Sequence, residues 1–267
     1  VILMGTPSSM TRTGKHEPWE LQVSREQIAF HQALYKFGYN GDINGTEETI
    51  WSQGGIYTYP TSAAQLYVSS SSTADTNGGT GANSVKIIGL DANYNEVEED
   101  ITLTGQTQKI TQTSWLRVYR MYVTLAGSGG QEAGTIYLAD TGATAGVPTG
   151  TVYASILLGA GQTEMAVYTV PAGYTLYLDD INFTAAVSLA NSYAQVRFLQ
   201  RNFGTNVFRE QLRVVLQSNT FIDKFNYPLR IPEKTDIEAR GLSVGSTNNP
   251  ISASWQGILI KNEIPPS

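Results

Sequence analysis

The sequence predicts an all-β protein with two antiparallel β-sandwich or jelly-roll units and an N-terminal arm. Runs of β-branched and aromatic residues recur from Trp51 onward at intervals of about 8–14 residues, with turn residues between them, which is typical of sandwiches and barrels. Apolar and polar residues alternate in several of these runs, so that each predicted strand has one apolar face. Charged residues make up only 15% of the chain, and glycine and uncharged polar residues supply the remaining polarity. This composition favours a rigid β surface.

The first predicted segment is the arm, residues 1–50. Ser24 followed by Gln27 has the pattern of a capping box, and the apolar residues after it have near-helical spacing, so a short helix is expected at 25–36. We expect residues 15–50 to pack against a neighbouring chain, because exposing their large apolar side chains to water is costly. These side chains are Trp19, Ile28, Phe30, Tyr35 and Phe37. Deleting residues 1–40 is then expected to leave the β fold intact.

The first β-sandwich unit is predicted to span residues 51–148. Residues 69–83 are rich in serine and glycine and are expected to form an exposed loop. Asp91, Asn93 and Asn95 predict a hairpin turn, because their short side chains hydrogen-bond to nearby backbone. A glycine-rich stretch at 140–150 is the expected link to the next unit. The predicted strands are 66–68, 85–90, 97–104, 116–125, 135–139 and 152–158.

The second, jelly-roll-like unit is predicted to span residues 149–267. Apolar–polar alternation is clearest here, as in Ile251, Ala253 and Trp255 against the serines between them. Pro171 fixes its own φ angle and Gly173 frees the chain to turn, which predicts a turn before a strand. The predicted strands are 166–170, 175–183, 195–201, 207–216, 225–231, 236–242 and 251–260.

The charge balance excludes several classes of protein. The net charge is −6, from 17 basic and 23 acidic residues, whereas nucleic-acid binding requires a basic face. The local basic cluster, Arg197, Arg201, Arg209 and Arg213, is best interpreted as outward positions on strands. No cysteine is present, which excludes disulfides and thiolate metal sites. No apolar run approaches the ~18 residues of a membrane span. We therefore predict no nucleic-acid partner and no membrane partner.

Candidate catalytic residues are few. The two histidines, His16 and His31, lie in the predicted arm, whereas a catalytic triad requires a histidine on a rigid scaffold. Adjacent carboxylates on a strand point to opposite faces, so the acidic runs do not form the facing pair of a glycosidase. These runs are Glu47-Glu48, Glu98-Glu99-Asp100 and Asp179-Asp180. We predict no catalytic residues, no cofactor and no enzyme activity, with a polysaccharide hydrolase as a distant third alternative.

Metal binding is also poorly supported. Asp91, Asn93 and Asn95 resemble the start of a calcium loop, but the following positions carry Glu96 where glycine is required and Thr102 where glutamate is required. A looser calcium site stays open as an alternative, and its candidate ligands are Glu98 and Asp75. The predicted metal set is none.

The aromatic residues have three interpretations. Tyr57, Tyr59 and Tyr67 near Trp51 are candidates for a sugar-stacking platform. Tyrosine and tryptophan also serve as anchors at protein interfaces. Ordinary half-buried strand positions are the third interpretation.

Several short motifs, in order, resemble a family of virion structural proteins of tailed bacteriophages, many of them marine, and in particular head decoration (cement) proteins. The resemblance covers roughly residues 22–260. The motifs are 42–43 (DI), 50–57 (IWSQGGIY), 89–105 (GLDANYNEVEEDITLTG), 115–123 (WLRVYRMYV), 168–173 (YTVPAG) and 235–237 (TDI). The resemblance implies a β fold and a structural role, and it carries no catalytic residues.

The function expected from this resemblance is decoration of the outer capsid surface. Many copies would bridge neighbouring capsomers and stabilise the shell, with the major capsid protein as partner and the virion exterior as location. A homotrimer is expected, because ring symmetry gives each copy two heterologous contacts. The alternative is a receptor- or glycan-binding head or tail fibre, or another tail-associated virion protein.

Overall fold

The computed structural model of the protein describes residues 17–187 and 189–262. Within these residues the chain forms one short helix, α1 (Trp19–Ser24), and eighteen strands that pair in antiparallel fashion. The all-β, antiparallel prediction is confirmed. The strands are β1 (His31–Ile43), β2 (Glu48–Thr49), β3 (Tyr67–Ser70), β4 (Ala82–Leu90), β5 (Glu96–Thr102), β6 (Lys109–Ile110), β7 (Arg117–Ala126), β8 (Ile136–Ala139), β9 (Ala143–Thr144), β10 (Val147–Pro148), β11 (Val152–Ile156), β12 (Val167–Thr169), β13 (Tyr174–Ala185), β14 (Tyr193–Arg201), β15 (Arg209–Leu216), β16 (Thr220–Ile231), β17 (Asp236–Val244) and β18 (Asn249–Lys261).

Two large sheets are built from β1 and the strands of the C-terminal half. Sheet I has the order β1-β18-β13-β16, and sheet II has the order β12-β17-β14-β15, with β2 also paired to β17. In sheet I, Trp255 of β18 lies opposite Lys36 of β1 on one side and Ile181 of β13 on the other. The first and last long strands of the described chain are therefore neighbours.

The inner faces of sheets I and II share one hydrophobic core. Alternate residues of β13 and β18 meet alternate residues of β14 and β17, as the sequence alternation predicts. Phe198 of β14 and Trp255 of β18 contact each other edge to face, with ring centroids 5.4 Å apart. Each large apolar side chain buried here contributes about 1.5–3 kcal/mol relative to exposure.

Residues 51–165, which we call the inserted unit, are inserted within one strand of sheet II. Residue 50 before the unit and residue 166 after it together occupy one position beside Ala239 of β17. Ile50 donates its N–H to the carbonyl of Ala239 at 2.9 Å, and Ala239 donates its N–H to the carbonyl of Ala166 at 3.0 Å. In a regular antiparallel pair, one residue would make both bonds. The two chains at the neck then run side by side, since Trp51 pairs with Met165. The inserted unit therefore leaves and re-enters the sheet at one point.

The inserted unit has its own sheets and its own core. One sheet has the order β11-β8-β3-β6, another has the order β5-β4-β7, and β9 pairs with β10. The core between them is centred on large side chains that are almost fully buried, among them Trp115, Leu66, Ile87, Leu103 and Met121.

Each strand predicted from residue 66 onward is present, with ends shifted by a few residues. The hairpin predicted at Asp91 is also present, and the Asp91 carboxylate accepts the backbone N–H groups of Asn93 and Asn95 at 2.8 and 2.9 Å. The division of the chain at residue 149 stays a prediction. Strand pairing crosses that point, because β11 pairs with β8.

The helix predicted at 25–36 is wrong. The helix lies earlier, at Trp19–Ser24, and Ser24 bonds back to the Glu20 carbonyl at its end instead of capping a start. Glu26 and Phe30 take positive φ angles of 56° and 66°, which a right-handed helix does not permit. The chain therefore turns twice and enters β1.

The N-terminal arm is corrected for the same reason. Residues 31–43 pair along almost their full length with β18, and Ile43 and Ile50 are fully buried in the core of sheets I and II. The predicted arm therefore contributes a strand to the main fold, and deleting residues 1–40 would remove most of that strand. Residues 1–16 lie outside the described residues.

The loop predicted to be exposed at 69–83 is held in place by hydrogen bonds to a buried carboxylate. Asp75 is fully buried, and its carboxylate accepts the N–H groups of Ala82, Ala133 and Gly134 at 2.8, 2.7 and 3.0 Å. The Ser70 hydroxyl donates a fourth bond at 2.5 Å. These four hydrogen bonds satisfy the buried carboxylate, so its burial is tolerated here.

Candidate functional site at the junction of the two units

The inserted unit is joined to the outer face of sheet II by a buried ion pair. Arg117 of β7 donates from Nε to Asp236 Oδ1 at 2.8 Å and from Nη2 to Oδ2 at 3.2 Å. Both side chains are less than a tenth exposed. Arg117 Nη1 also donates to the carbonyls of Pro60 and Leu116, so the guanidinium is well satisfied. A bidentate pair of this kind fixes orientation as well as distance.

Asp236 is shared with groups of its own sheet. Arg201 donates to Asp236 Oδ2 from Nε at 3.0 Å and from Nη2 at 2.6 Å, and the Thr169 hydroxyl donates to Oδ1 at 2.6 Å. One buried carboxylate therefore accepts from two guanidinium groups and a hydroxyl.

Aromatic rings cover these cations. Arg201 lies 4.5 Å from the Tyr59 ring centroid and 4.6 Å from the Phe208 centroid, and Arg240 lies 5.1 Å from Phe208. Tyr59 belongs to the inserted unit, whereas Phe208 follows β14 in the main fold. The rings exclude water from the ion pairs, which strengthens their attraction.

A second carboxylate lies beside the neck. Glu238 is fully buried, accepts the Thr49 hydroxyl at 3.2 Å and is bonded by Arg240 Nε at 2.6 Å. Burial raises the pKa of Glu238 to about 7, although the charge of Arg240 acts in the opposite direction. Glu47 bonds both Arg197 and Arg240 at the rim of this cluster.

A buried lysine lies at the opposite side of the junction. Lys36 of β1 donates from Nζ to the Tyr119 carbonyl of the inserted unit. Burial, and then the charge of Arg120, lower the pKa of the Lys36 ammonium to about 7. Tyr119 donates its hydroxyl to Glu96 and packs on Tyr168, with ring centroids 4.7 Å apart.

The outer face of sheet I is exposed and carries aromatic and polar side chains. Aromatic residues line β1, and Tyr35 is 62% exposed and Tyr39 39%. Across the sheet, the rows from Tyr39 and Phe37 continue through hydroxyl and amide side chains and Ile222, whereas the row from Tyr35 includes the charged Asp180 and Lys224. The rows are Tyr39-Ser252-Thr184-Thr220, Phe37-Ser254-Asn182-Ile222 and Tyr35-Gln256-Asp180-Lys224. Such a face suits a protein contact.

The edge of sheet I at β16 carries a protruding tyrosine. The pairing of β16 with β13 shifts between Lys224 and Leu229, so residues 225–228 bulge from the strand. Tyr227, at this bulge, is 90% exposed. Pro228 lacks an N–H, and a proline and a bulge on an edge strand both discourage further strand pairing.

The histidine and carboxylate candidates are not brought together. His31 is on β1 and its Nδ1 lies 2.8 Å from the Ala29 carbonyl, while His16 lies outside the described residues. Each acidic run has separate partners. In the first run, Glu47 pairs with arginines and Glu48 accepts the Gly55 N–H. In the second, Glu98 and Asp100 pair with Lys86, and Glu99 accepts the N–H groups of Gln112 and Thr113. In the third, Asp179 pairs with Lys224, and Asp180 accepts from the side-chain amides of Asn182 and Gln256.

The calcium alternatives gain no support. Asp75 uses its oxygens for hydrogen bonds inside the fold, and Asp91 uses its oxygens to close the hairpin turn. In the part of the chain that the structure describes, no group of three or more histidine and acidic side chains is placed to bind a metal.

Of the three interpretations of the aromatic residues near Trp51, the structure does not support the sugar-stacking platform. Trp51 and Tyr57 are buried and contact each other edge to face, with centroids 5.2 Å apart. Tyr59 packs on Tyr57 on one side and under Arg201 on the other. These rings belong to the core of the inserted unit and to the junction.

The arginine cluster does lie on strands of sheet II, as predicted. Arg197 and Arg213 pair with Glu210, Arg201 bonds Asp236, and Arg209 is exposed. The roles of Arg117, Lys36, Asp236 and Glu238 were missed by sequence reasoning. Their partners are distant in sequence, and no local pattern identifies them. Among the residues described, no helix is long and apolar enough to cross a membrane.

Comparisons with known proteins give distant structural likenesses only. No family model and no curated protein matches the chain. Among solved structures, a chain of the cowpea mosaic virus top component, a naturally occurring empty particle, is 6% identical, with a TM-score of 0.24 over 77% of this chain and 89% of that one. Infectious bursal disease virus strain Gx gives 13% identity and a TM-score of 0.24 over 88% and 73%. The VP2 subviral particle of infectious bursal disease virus gives 10% and 0.22 over 88% and 73%.

Proposed function

We propose that the chain is a virion structural protein of a tailed bacteriophage that decorates the outer capsid surface and stabilises it by bridging capsomers. The observation that carries the proposal is the strand order of the two large sheets. With the inserted unit and the two-residue β2 left out of the count, β1 and β12 to β18 are the first to eighth strands, and the sheets read first-eighth-third-sixth and second-seventh-fourth-fifth. This order supports an eight-stranded jelly roll, an architecture found in viral capsid and lectin domains.

The junction supports a mechanical role. The inserted unit is tied to the jelly roll by the neck at Ile50 and Ala166, by the Arg117–Asp236 pair and by Lys36. These three attachments are far apart in sequence and resist rotation of one unit on the other. A protein that bridges capsomers must transmit force between its contacts, and a rigid junction allows this.

The outer face of sheet I is the contact surface that we assign to the major capsid protein or to a neighbouring copy. Its exposed aromatic residues on β1, together with Tyr227 at the β16 bulge, are the kind of side chain that anchors interfaces. The sequence resemblance to head decoration proteins agrees with this role. The proposal requires no cofactor, nucleic acid or membrane.

The test is to compare particles with and without the protein. Image reconstruction of the virion should show density for the chain on the capsid exterior, in a copy number of the same order as the capsid protein. Capsids lacking it should rupture at a lower temperature, and adding purified protein should restore the loss. Unchanged rupture of the depleted capsids, with density confined to a few copies on a fibre, would contradict the proposal.

The alternative is a receptor- or glycan-binding fibre or another tail-associated protein. It is favoured by one observation, the aromatic column Tyr35, Phe37 and Tyr39 beside hydroxyl and amide side chains, which resembles the composition of sugar-binding faces. Low copy number in purified virions and binding of the isolated protein to host-surface glycans would favour this alternative over decoration.

A further inference from the structure

A cavity of about 170 Å³ lies between β1 and the inserted unit. Its polar lining includes Lys36 and Tyr168 of the jelly roll and Glu96, Tyr119 and Arg120 of the inserted unit. This volume is far larger than the ~10–15 Å³ that one water molecule requires, so the cavity has room for a small ligand. A wider cleft of about 600 Å³ beside α1 is lined, among the described residues, by no buried side-chain atom that lacks a partner.

Two buried polar groups line this cavity with hydrogen-bonding capacity to spare. The Lys36 ammonium has three donors, and among the described residues its recorded bond is the one to the Tyr119 carbonyl. The Tyr168 hydroxyl is buried without a hydrogen-bond partner, in a residue that is 1% exposed. Buried polar groups are normally satisfied, so two such donors at one cavity point to an acceptor between them.

The charges around the cavity favour an anion. Lys36 and the Arg120 guanidinium are both positive, and Arg120 is held in place by Gln162 Oε1 at 2.9 Å and by the Tyr122 ring at 5.4 Å. Glu96 is the acidic group of the lining, and its carboxylate is already engaged by the Tyr119 hydroxyl. The lowered pKa of Lys36 reflects burial and repulsion by Arg120, both of which an anion would offset.

We propose that this cavity binds a small oxyanion, a carboxylate or a phosphate group, between Lys36, Arg120 and Tyr168. The anion accepts from the Lys36 ammonium and the Tyr168 hydroxyl and reduces the repulsion between Lys36 and Arg120. Because Lys36 and Tyr168 belong to the jelly roll and Arg120 to the inserted unit, the bound anion also fastens the two units together. This inference does not depend on the proposed role in the virion.

The test uses the full chain and two probes, inorganic phosphate and acetate, each titrated against chloride at constant ionic strength. Saturable stabilisation of the wild type in thermal unfolding is expected with at least one probe. Lys36→Met and Tyr168→Phe should each weaken the apparent affinity about tenfold or more, because each removes a buried donor to the anion. Arg120→Gln should weaken it less, because Arg120 is exposed. The probe that binds more tightly distinguishes a phosphate from a carboxylate as the natural group.

Lys109→Met is the matched control, since Lys109 is an exposed lysine on β6 and does not line the cavity. It should respond to the probes like the wild type. If Lys36→Met does not fold, Tyr168→Phe still decides the matter, because it removes only a hydroxyl. Equal responses of the wild type and Tyr168→Phe, or stabilisation by phosphate and acetate no greater than that by chloride, would overturn the proposal.

Discussion

Ile50 and Ala166 together fill one strand position of sheet II. Ile50 supplies the N–H and Ala166 the carbonyl that face Ala239, and Ala166 also donates its N–H to the Ile50 carbonyl at 2.9 Å. The chain between them is the whole inserted unit. The main fold and the inserted unit thus meet through a narrow neck, and their relative orientation also depends on contacts beyond it, such as the Ala172 N–H that donates to the Tyr94 carbonyl at 2.8 Å.

The first prediction concerns the ion pair beyond the neck. Arg117→Met should lower the free energy of unfolding by about 3 kcal/mol, near the lower end for breaking a buried pair, because Arg201 still neutralises Asp236. Arg213→Met is the control, since Arg213 forms an exposed pair with Glu210 and should cost less than about 1 kcal/mol. Urea unfolding of both variants measures the difference, and equal losses would show that the buried pair contributes no more than a surface one.

The second prediction tests the close packing of β1 on the neck. A Cβ atom on Gly38 would lie 2.1 Å from the Ala166 nitrogen and 2.4 Å from the Ile50 oxygen. Gly38→Ala should therefore destabilise the protein by about 1–3 kcal/mol through overpacking of backbone against backbone. Gly45→Ala, where a Cβ meets nothing within 4 Å, should change stability by less than about 0.5 kcal/mol. Matching melting temperatures for the two variants would contradict the observed approach.

The third prediction is a pH dependence at Lys36. Its pKa is about 7 in the folded protein against 10.5 in the unfolded chain, so the folded state binds fewer protons between these values. The wild type therefore gains stability from this group as pH rises from about 7 to 10.5, and the full penalty applies below 7. Lys36→Met should remove that gain and raise the stability at pH 7. Unfolding curves at several pH values measure this. If the free energy of unfolding of Lys36→Met rises with pH as steeply as that of the wild type, the pH dependence does not come from the buried Lys36 ammonium.

The fourth prediction is a pH dependence of stability at Glu238, with the opposite sign to that at Lys36. Its folded pKa of about 7 exceeds its ordinary value of 4.5, so its contribution to stability falls as pH rises from 4.5 to about 7. Glu238→Gln keeps the size of the side chain and should flatten this part of the stability profile. The exposed Asp100→Asn serves as the control, since its side chain is 63% exposed. A profile that falls as steeply in Glu238→Gln as in the wild type would refute the assignment.

The fifth prediction is self-association into a trimer. The exposed aromatic residues of β1 and Tyr227 favour contact with other copies, and ring closure by heterologous contacts gives a trimer as the expected state. Sedimentation velocity at increasing protein concentration should show trimers, and Tyr227→Ser together with Tyr35→Ser should shift them toward monomer. A protein that stays monomeric at high micromolar concentration contradicts the prediction.

Strands could be predicted from the sequence where apolar and polar residues alternate, and could not where this alternation is missing. In β18 the inward positions carry Ile251, Ala253 and Trp255, and the strand was predicted from this pattern. In β1 the buried positions include Lys36 and Asn40, so a buried strand looked polar. The capping-box pattern at Ser24 and the near-helical spacing of the apolar residues after it suggested a helix instead. Tertiary packing decided the conformation of β1, and local pattern did not reveal it.

The candidate site could not be predicted from the sequence, for a different reason. Arg117 and Asp236 are 119 positions apart, and each lies in a strand whose neighbours predict only a strand. The split strand position was also hidden, because residue 50 was predicted as the end of the arm and residue 166 as the start of a separate strand. By contrast, the Asp91 hairpin was predicted correctly, because all of its hydrogen bonds are local.

The pairing of β1 with β18 has a consequence for synthesis of the chain. The N-terminal strand finds its partner only after the last strand has left the ribosome, because His31 pairs with Ile260. The inserted unit is complete much earlier and has a core of its own, so it can fold first. Once folded, it holds residues 50 and 166 together and removes a long loop from the search that the remaining strands must make. The inserted unit would thus act as a scaffold during folding, and sheets I and II would close around its neck as the final step.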